Sequence, residues 1–498
     1  MAKYDKLSLA SLRREIEAGT RDVTFQTDDG ALTQEVYIPK FTIEKGMFDG
    51  GTFPASDLTL GGFFVDKYQC SHKKATAGSR GIDDNPTIKT DGTDENIPVS
   101  LPGKTPWVNI TQENAKNACA NRKINGVSCH LITPREWAAI CFLSKYLGHE
   151  MRGNNDYGKD RRDSALDGNY AIVDPASDNP SAENNGKFCR ALTGTGPNSW
   201  SHNGMANGVF DLCGNVWEWT DMVLNDGVYT YKRPARLHDG DGITAVDTTI
   251  TLDHAEDAAL WPTDGGKVQI ESEVIAYQTL SYANGKLVLT GCTRGADGTT
   301  AAAHKDDVAA YGLIDVYVIP GGASSHLSAD VSATDTVFKY KDFVGAQGIT
   351  GFRAGDTVCT EKERMTVVSV DANQQTITVT RGVNGTPTSS YKTGQALIKM
   401  NTSMNCFFST DWIQAYRQYG GMAAMRSDSL AVLGLPLAAT TNVAGYGWMD
   451  VAPFGQRVVS RGGGPDSGGF AAGGWLLLGL DLPVACDAWR GFRAALSI

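Results

Sequence analysis

GVFDLCGNVWEWTD, residues 208–221, is the stretch on which the reading of this fold turns. Gly214 and Asn215 suit a tight turn, since Asn tolerates left-handed backbone angles. Beyond the turn, Val216, Trp217 and Trp219 alternate with Glu218 as they would in a strand, so at least one of the two tryptophans belongs to a core. Upstream, residues 107–148 hold the clearest helical signals. NITQENAKNACANRK is capped by Thr111. In TPREWAAICFLSKYL, Thr133 is the N-cap, Pro134 takes the first helical position and Glu136 completes a capping box.

Downstream of the box the chain repeats itself. KVQIESEVIAYQTLSYANGKLVLTGCTRGADGT, residues 267–299, is answered by DTVCTEKERMTVVSVDANQQTITVTRGVNGT, residues 356–386. Both end in T-R-G-x-[DN]-G-T, starting at Thr293 and Thr380, and both carry short alternating runs split by Asn-Gly, Asp-Gly or Asn-Gln turns. They read as two small all-β modules, over 241–312 and 329–400, joined by a Gly/Ser/Pro connector at 313–328. The regions around them, 31–240 and 401–498, are rich in Gly, Asn, Asp and Trp and form one loop-rich domain, preceded by an arm at 1–30 with Leu9, Leu12 and Ile16 on one helical face. The expected fold class is therefore α+β, interrupted by two inserted β-modules. Insertion at a surface loop costs little, because closure entropy grows only with the logarithm of loop length.

Composition removes several function classes. The 498 residues are 41% hydrophobic and 20% charged, as in a soluble globular protein. A net charge of −11 argues against nucleic acid as the main partner. No apolar run reaches the roughly 18 residues a membrane helix needs, so no membrane insertion is expected. The first residues lack the apolar centre of a secretory signal, which fits synthesis in a reducing cytosol. The ten cysteines form no C-x-x-C pair and read as free thiols.

Four boxes together carry a resemblance. LITPREWAAICFLSKYLG (131–148), GVFDLCGNVWEWTD, RVVSRGGG (457–464) and RGFRAAL (490–496) are similar, in order, to the boxes of formylglycine-generating-enzyme-type proteins. GGFFVDKYQCSHKKA (61–75) resembles that family's early strand. The resemblance implies a C-type-lectin fold of the sulfatase-modifying type. In several relatives the G-N-V-W-E-W loop helps to bind calcium, which makes Asn215 and Glu218 candidate ligands. Calcium sites want six or more oxygens and only two can be named here, so Glu218 as a buttress accepting backbone hydrogen bonds is the favoured alternative. No cofactor is otherwise required. Enzymes of this family use two neighbouring thiolates after the R-G-G box, whereas this chain has Cys486 alone there. The expectation is that it is not an enzyme. A sulfatase-modifying-type oxidoreductase and a carbohydrate-binding lectin are the rivals.

The closing stretch RGGGPDSGGFAAGGWLLLGLDLPVACDAWRGFR, residues 461–493, shows no period of 2 or 3.6. Its frame is similar to the variable region of diversity-generating-retroelement variable proteins, which use the same scaffold. The frame residues are Arg461, Gly462, Gly463, Gly473, Trp475, Leu477, Pro483, Gly491, Phe492 and Arg493, and Trp217 and Trp219 belong to the scaffold beneath them. Between them such proteins carry Asn codons scrambled by adenine mutagenesis, which reach most residue types found here, though not Trp. The resemblance makes Asp466, Ser467, Gly468, Phe470, Leu478, Leu480, Asp481, Ala485, Asp487 and Trp489 the candidate ligand-binding surface, with Trp475 and Leu477 inward. An apolar patch rimmed by aspartates suits protein recognition. The implied role is host recognition at a phage or prophage tail, assembled in the bacterial cytoplasm and carried on the virion. The implied partners are a host cell-surface protein or glycan and other tail proteins, and a homo-oligomer is compatible with both.

Overall fold

Strand Trp217–Asn225 is the axis of the molecule. The computed structural model describes residues 22–497 apart from 47–56, 92–93, 165–167, 169, 176–189, 226, 257, 259–260, 318–320, 346–349, 361–362, 401–403, 409–446, 452–454, 466 and 468–472. The expected helix bearing Leu9, Leu12 and Ile16 lies outside the described residues. On one side the axial strand pairs antiparallel with Gln456–Gly462, and Trp217–Trp219 also pair parallel with Arg490–Phe492. Gln456–Gly462 continues to Gly473–Asp481, which lies parallel to Gly447–Val451.

A second sheet closes the domain. Its order is Asp22–Gln26, Leu32–Ile38, Phe63–Asp66, Ala494–Ser497 and His130–Leu131, so the last strand sits between early ones. Helix Gln112–Asn121 begins at Thr111, whose Oγ1 accepts from Asn114 N, and buries Ala115, Ala118 and Cys119. Helix Pro134–Tyr146 has the reciprocal cap its sequence announces: Thr133 N donates to Glu136 Oε2 at 2.8 Å and Glu136 N to Thr133 Oγ1 at 3.2 Å. It inserts Trp137, Ile140 and Cys141 into the larger core cluster, while Trp107, Trp219 and Phe492 anchor the other. Truncating any of these tryptophans, all fully buried, would cost about 3–5 kcal/mol.

The α+β expectation is overturned. Among the described residues these are the only two α-helices, and the chain is mostly β with a closed six-stranded barrel. The physical reason is that among the described residues neither module contributes an α-helix, and flanks expected to be loop-rich supply strands instead.

The first module is not hung on a loop. Strand Val228–Leu237 turns back from the axial strand and pairs over nine residues with Ala309–Tyr317, which also pairs with Gly266–Ile270. One sheet thus runs from the flanking domain into the module. The 313–328 stretch expected as a connector holds the end of Ala309–Tyr317 and strand Gly321–Leu327, which belongs to the barrel. The barrel is completed by Val337–Gly345, Thr376–Thr380, Glu363–Asp371, Thr357–Thr360 and Ala396–Met400.

The repeated box has a shared physical purpose. In the first module Arg294 holds the buried Glu273 through Nε at 2.9 Å and Nη2 at 2.7 Å. In the second, Arg381 holds Glu363 at 2.7 and 2.6 Å. The glycine after each arginine donates its amide to the same carboxylate, at 2.9 and 3.1 Å. Burial alone would raise these carboxyls, but the hydrogen bonds outweigh it and hold Glu273 at about 2 and Glu363 below its usual range. The glutamate also receives His304 in one module and Tyr391 in the other, both at 2.8 Å. Seven described cysteines are free and buried, and Cys486 is free and exposed. Among the described residues no helix is long and apolar enough to cross a membrane.

Candidate ligand-binding surface

The closing segment is pinned at its end by the GVFDLCGNVWEWTD box. Arg493 is fully buried and donates to both Glu218 oxygens at 2.9 Å, to Asp66 O at 2.7 Å and to Phe210 O at 2.8 Å. Gln69 Nε2 reaches Glu218 Oε1 at 3.0 Å, and Trp219 Nε1 donates to Ile110 O at 2.9 Å. A Cβ on Gly491 would stand 2.9 Å from Val216 Cγ2 and 3.1 Å from Trp107 O, so only glycine lets the returning strand lie this close. Phe492 packs edge-on to Trp107 with centroids 5.4 Å apart. At the segment's beginning Arg461 is fully buried, and burial pushes its guanidinium down to about 10. Gly462 is buried too, at φ +87. Trp217 is half-buried, and Trp475 lies in strand Gly473–Asp481.

Between these anchors, residues 480–487 alternate. Leu480, Leu482 and Val484 are exposed at 37%, 52% and 76%, and Cys486 is exposed, while Asp481, Pro483, Ala485 and Asp487 are half-buried. The half-buried residues are tied down. Arg490 donates to Asp481 at 2.7 and 2.9 Å, pairs with Asp487 and lies over the Trp219 ring at 5.6 Å. Burial pushes the Asp481 carboxyl above its usual range despite that guanidinium. Ala485 packs against the core cluster around Trp107. Bonds to backbone oxygens fix the loop's far end: Asn109 N donates to Asp487 O at 2.9 Å, the Arg190 side chain through Nη1 to Ala488 O at 2.5 Å and Trp217 N to Trp489 O at 2.8 Å.

The candidate positions therefore separate. Leu480 is at the surface. Leu478, expected outward, is buried at 8%, in a strand flanked on one side by Gln456–Gly462 and on the other by Gly447–Val451. Asp481, Ala485, Asp487 and Trp489 are half-buried, and the two aspartates form the Arg490 clamp rather than a free acidic rim. Ser467 is half-buried and its Oγ accepts from Gly464 N at 2.8 Å. Asp466, Gly468 and Phe470 lie outside the described residues. Sequence reasoning missed Leu482, Val484 and Cys486. The signal was the local alternation L-D-L-P-V-A-C-D, hidden by the glycines before it.

The calcium reading does not fit. Both Glu218 oxygens are occupied by the Arg493 guanidinium, so an entering dication would face a fixed positive charge. Asn215 Oδ1 accepts from Ala191 N at 2.6 Å and Asn154 Nδ2 at 3.1 Å, and its Nδ2 donates to Gln69 Oε1 at 2.7 Å. Both side chains are structural struts beneath the closing segment. Among the described residues no group of three or more His, Cys, Asp and Glu is placed to hold a metal.

The geometry gives weight to the comparison with known families. No curated protein matches the chain. A family model does match, over residues 20–262, and it is that of the sulfatase-modifying factor enzyme 1-like domain. That span contains the axial strand, both helices and Asn215, Glu218 and Trp219. Residues 20–262 of this chain therefore carry a sulfatase-modifying factor enzyme 1-like domain, with the C-type-lectin-like fold that belongs to it.

Proposed function

We propose that this chain is a recognition protein, not a catalyst, and that the ridge formed by Leu480, Leu482 and Val484 contacts its ligand. One observation carries the reading: Leu480, Leu482 and Val484 are exposed in alternation with half-buried residues, of which Asp481 and Asp487 are clamped by Arg490. Folding gains nothing from exposing these three apolar side chains, and an apolar ridge on a rigid frame is suited to binding. Preorganisation by Arg490 lowers the entropy lost on association. The ridge presents methyl groups and no planar polar side chain, so its chemistry matches an apolar groove on a protein better than sugar hydroxyls.

The setting we propose is host recognition by a phage or prophage particle, with the ligand-contacting residues diversified by a retroelement. Several copies per particle would turn modest affinity into firm attachment through effective concentration. A non-catalytic role agrees with Cys486, since the other described thiols are buried and none can join it at the surface. The test is binding of labelled protein to candidate bacterial cells. Leu482→Asp with Val484→Asp should abolish binding and leave thermal unfolding unchanged. Undiminished binding by that variant would overturn the proposal. A near-copy of the 3′ coding end that differs only at adenines, beside a reverse transcriptase gene, would test diversification separately.

A further inference from the structure

A second site stands away from the ridge. Where strand Val228–Leu237 leaves the lectin-type domain there is a cleft of about 600 Å³, inside the roughly 300–1,000 Å³ range of ligand pockets. Its walls come from the axial strand, from residues around the start of helix Pro134–Tyr146 and from Glu256 of the first module. The cleft thus lies on the seam between two units, where ligand sites concentrate.

The charges that line it do not cancel. Its three carboxylates are all engaged. Asp221 meets Lys116 at 2.7 Å and Glu256 meets Arg135 at 2.6 Å. Glu136 faces His130 Nε2 at 2.9 and 3.1 Å and also accepts from the Thr133 amide and hydroxyl, both at 2.8 Å. Burial alone would lower the His130 pKa, but Glu136 outweighs it and holds the ring above its usual range. His130 therefore counts as a cation beside Lys116, Arg135 and Lys232, and four positive groups face three negative ones. Lys232 is the one left over: it is exposed, and among the described residues no carboxylate pairs with it. The whole chain carries a charge of −11, so surplus positive charge in this recess reverses the prevailing sign. A recess with low-dielectric walls focuses such a field and draws in the opposite charge.

We infer that this cleft binds a carboxylate ligand of single negative charge, with the Lys232 ammonium as its counter-ion. One surplus cation matches one negative charge. A phosphate dianion would set its second charge against Asp221, Glu136 and Glu256, whose own cations are already taken. The exposed Pro234 and half-buried Val223 leave part of the wall apolar for the body of the ligand. The inference does not depend on the ridge.

The probes are phenylacetate, its neutral isostere phenylacetamide and inorganic phosphate, titrated against the full chain at neutral pH with saturation-transfer NMR. Phenylacetate should bind roughly ten-fold more tightly than phenylacetamide and should weaken as salt is raised, since an exposed charge is screened. Lys232→Ala should bring phenylacetate down to the level of the amide, and Lys232→Arg, which keeps the charge, should restore most of the difference. A blocked Gly-Glu-Gly tripeptide identifies the source of the carboxylate: tighter binding than that of phenylacetate assigns it to a polypeptide side chain, and weaker binding assigns it to a free acid. Equal binding of acid and amide, preference for phosphate, no binding by any probe, or phenylacetate binding unchanged in Lys232→Ala would overturn the inference. Thermal unfolding of the two variants, expected to match the parent at this exposed position, separates a lost charge from a lost fold.

Discussion

Arg490→Ala isolates the device that turns an apolar loop into a rigid ridge. Arg490 holds Asp481 with two hydrogen bonds, at 2.7 and 2.9 Å, with both side chains 14% exposed. It also pairs with Asp487 and covers Trp219. A fully buried pair broken on one side costs about 3–5 kcal/mol, and residual exposure here reduces that to about 2 kcal/mol. The cost is local, because residues on either side are held independently by Arg493 and by the sheet. An opening free energy lowered by about 2 kcal/mol speeds amide exchange about thirty-fold. The amides that report it are Ala485, whose N donates to Leu482 O at 2.9 Å, and Trp489, whose N donates to Asp487 Oδ1 at 2.9 Å. Hydrogen–deuterium exchange on a peptide spanning 482–489 should show this increase, with strands Leu32–Ile38 and Phe63–Asp66 unaffected. Ligand affinity should weaken as preorganisation is lost. Unchanged exchange in 482–489, or equal acceleration in both regions, would refute the clamp.

Three further outcomes follow from buried charge. Arg493→Ala leaves Glu218 buried without its partner and should destabilise the lectin-type domain by about 3–5 kcal/mol, seen as a lower calorimetric transition. Glu35 shares the guanidinium of Arg122 with Asp66 inside the core, at 3.2 and 2.8 Å, and burial first, then the Asp66 charge, push its carboxyl up to about 8. A carboxyl raised above its unfolded value keeps its full stability below about pH 4.5 and loses it progressively up to about pH 8. Glu35→Gln should flatten that decline in pH-dependent melting, and an unchanged slope would reject the assignment. His304 faces Glu271 and Glu273, each at 2.8 Å, where the second module places Tyr391 on Glu363. His304→Tyr should keep the first module folded, while His304→Ala should cost about 1–3 kcal/mol by leaving Glu273 short of a donor. Equal melting of the two variants would count against the shared design.

Local chemistry was legible wherever neighbours in sequence are neighbours in space. The capping box of Thr133 and Glu136 and the repeated T-R-G boxes could be read directly, since the first depends on contacts three residues apart and the second on a motif occurring twice. The fold class was misjudged for the opposite reason. Strands such as Ala309–Tyr317 and Gly321–Leu327 carry glycines and serines that look like a connector until a partner strand satisfies their backbone.

The site shows the same boundary. The sequence marked the frame of the closing segment at Arg461 and at Gly491, Phe492 and Arg493, and left Glu218 open between a calcium ligand and a buttress of its loop. Only the tertiary structure decided which side of residues 480–487 faces outward. That choice belongs to Arg490, which reaches back to Asp481 and Asp487, draws the odd-numbered positions inward and leaves Leu480, Leu482 and Val484 in solvent. A period of 2 fixes which side chains share a face, but which face is buried depends on a partner from elsewhere in the chain.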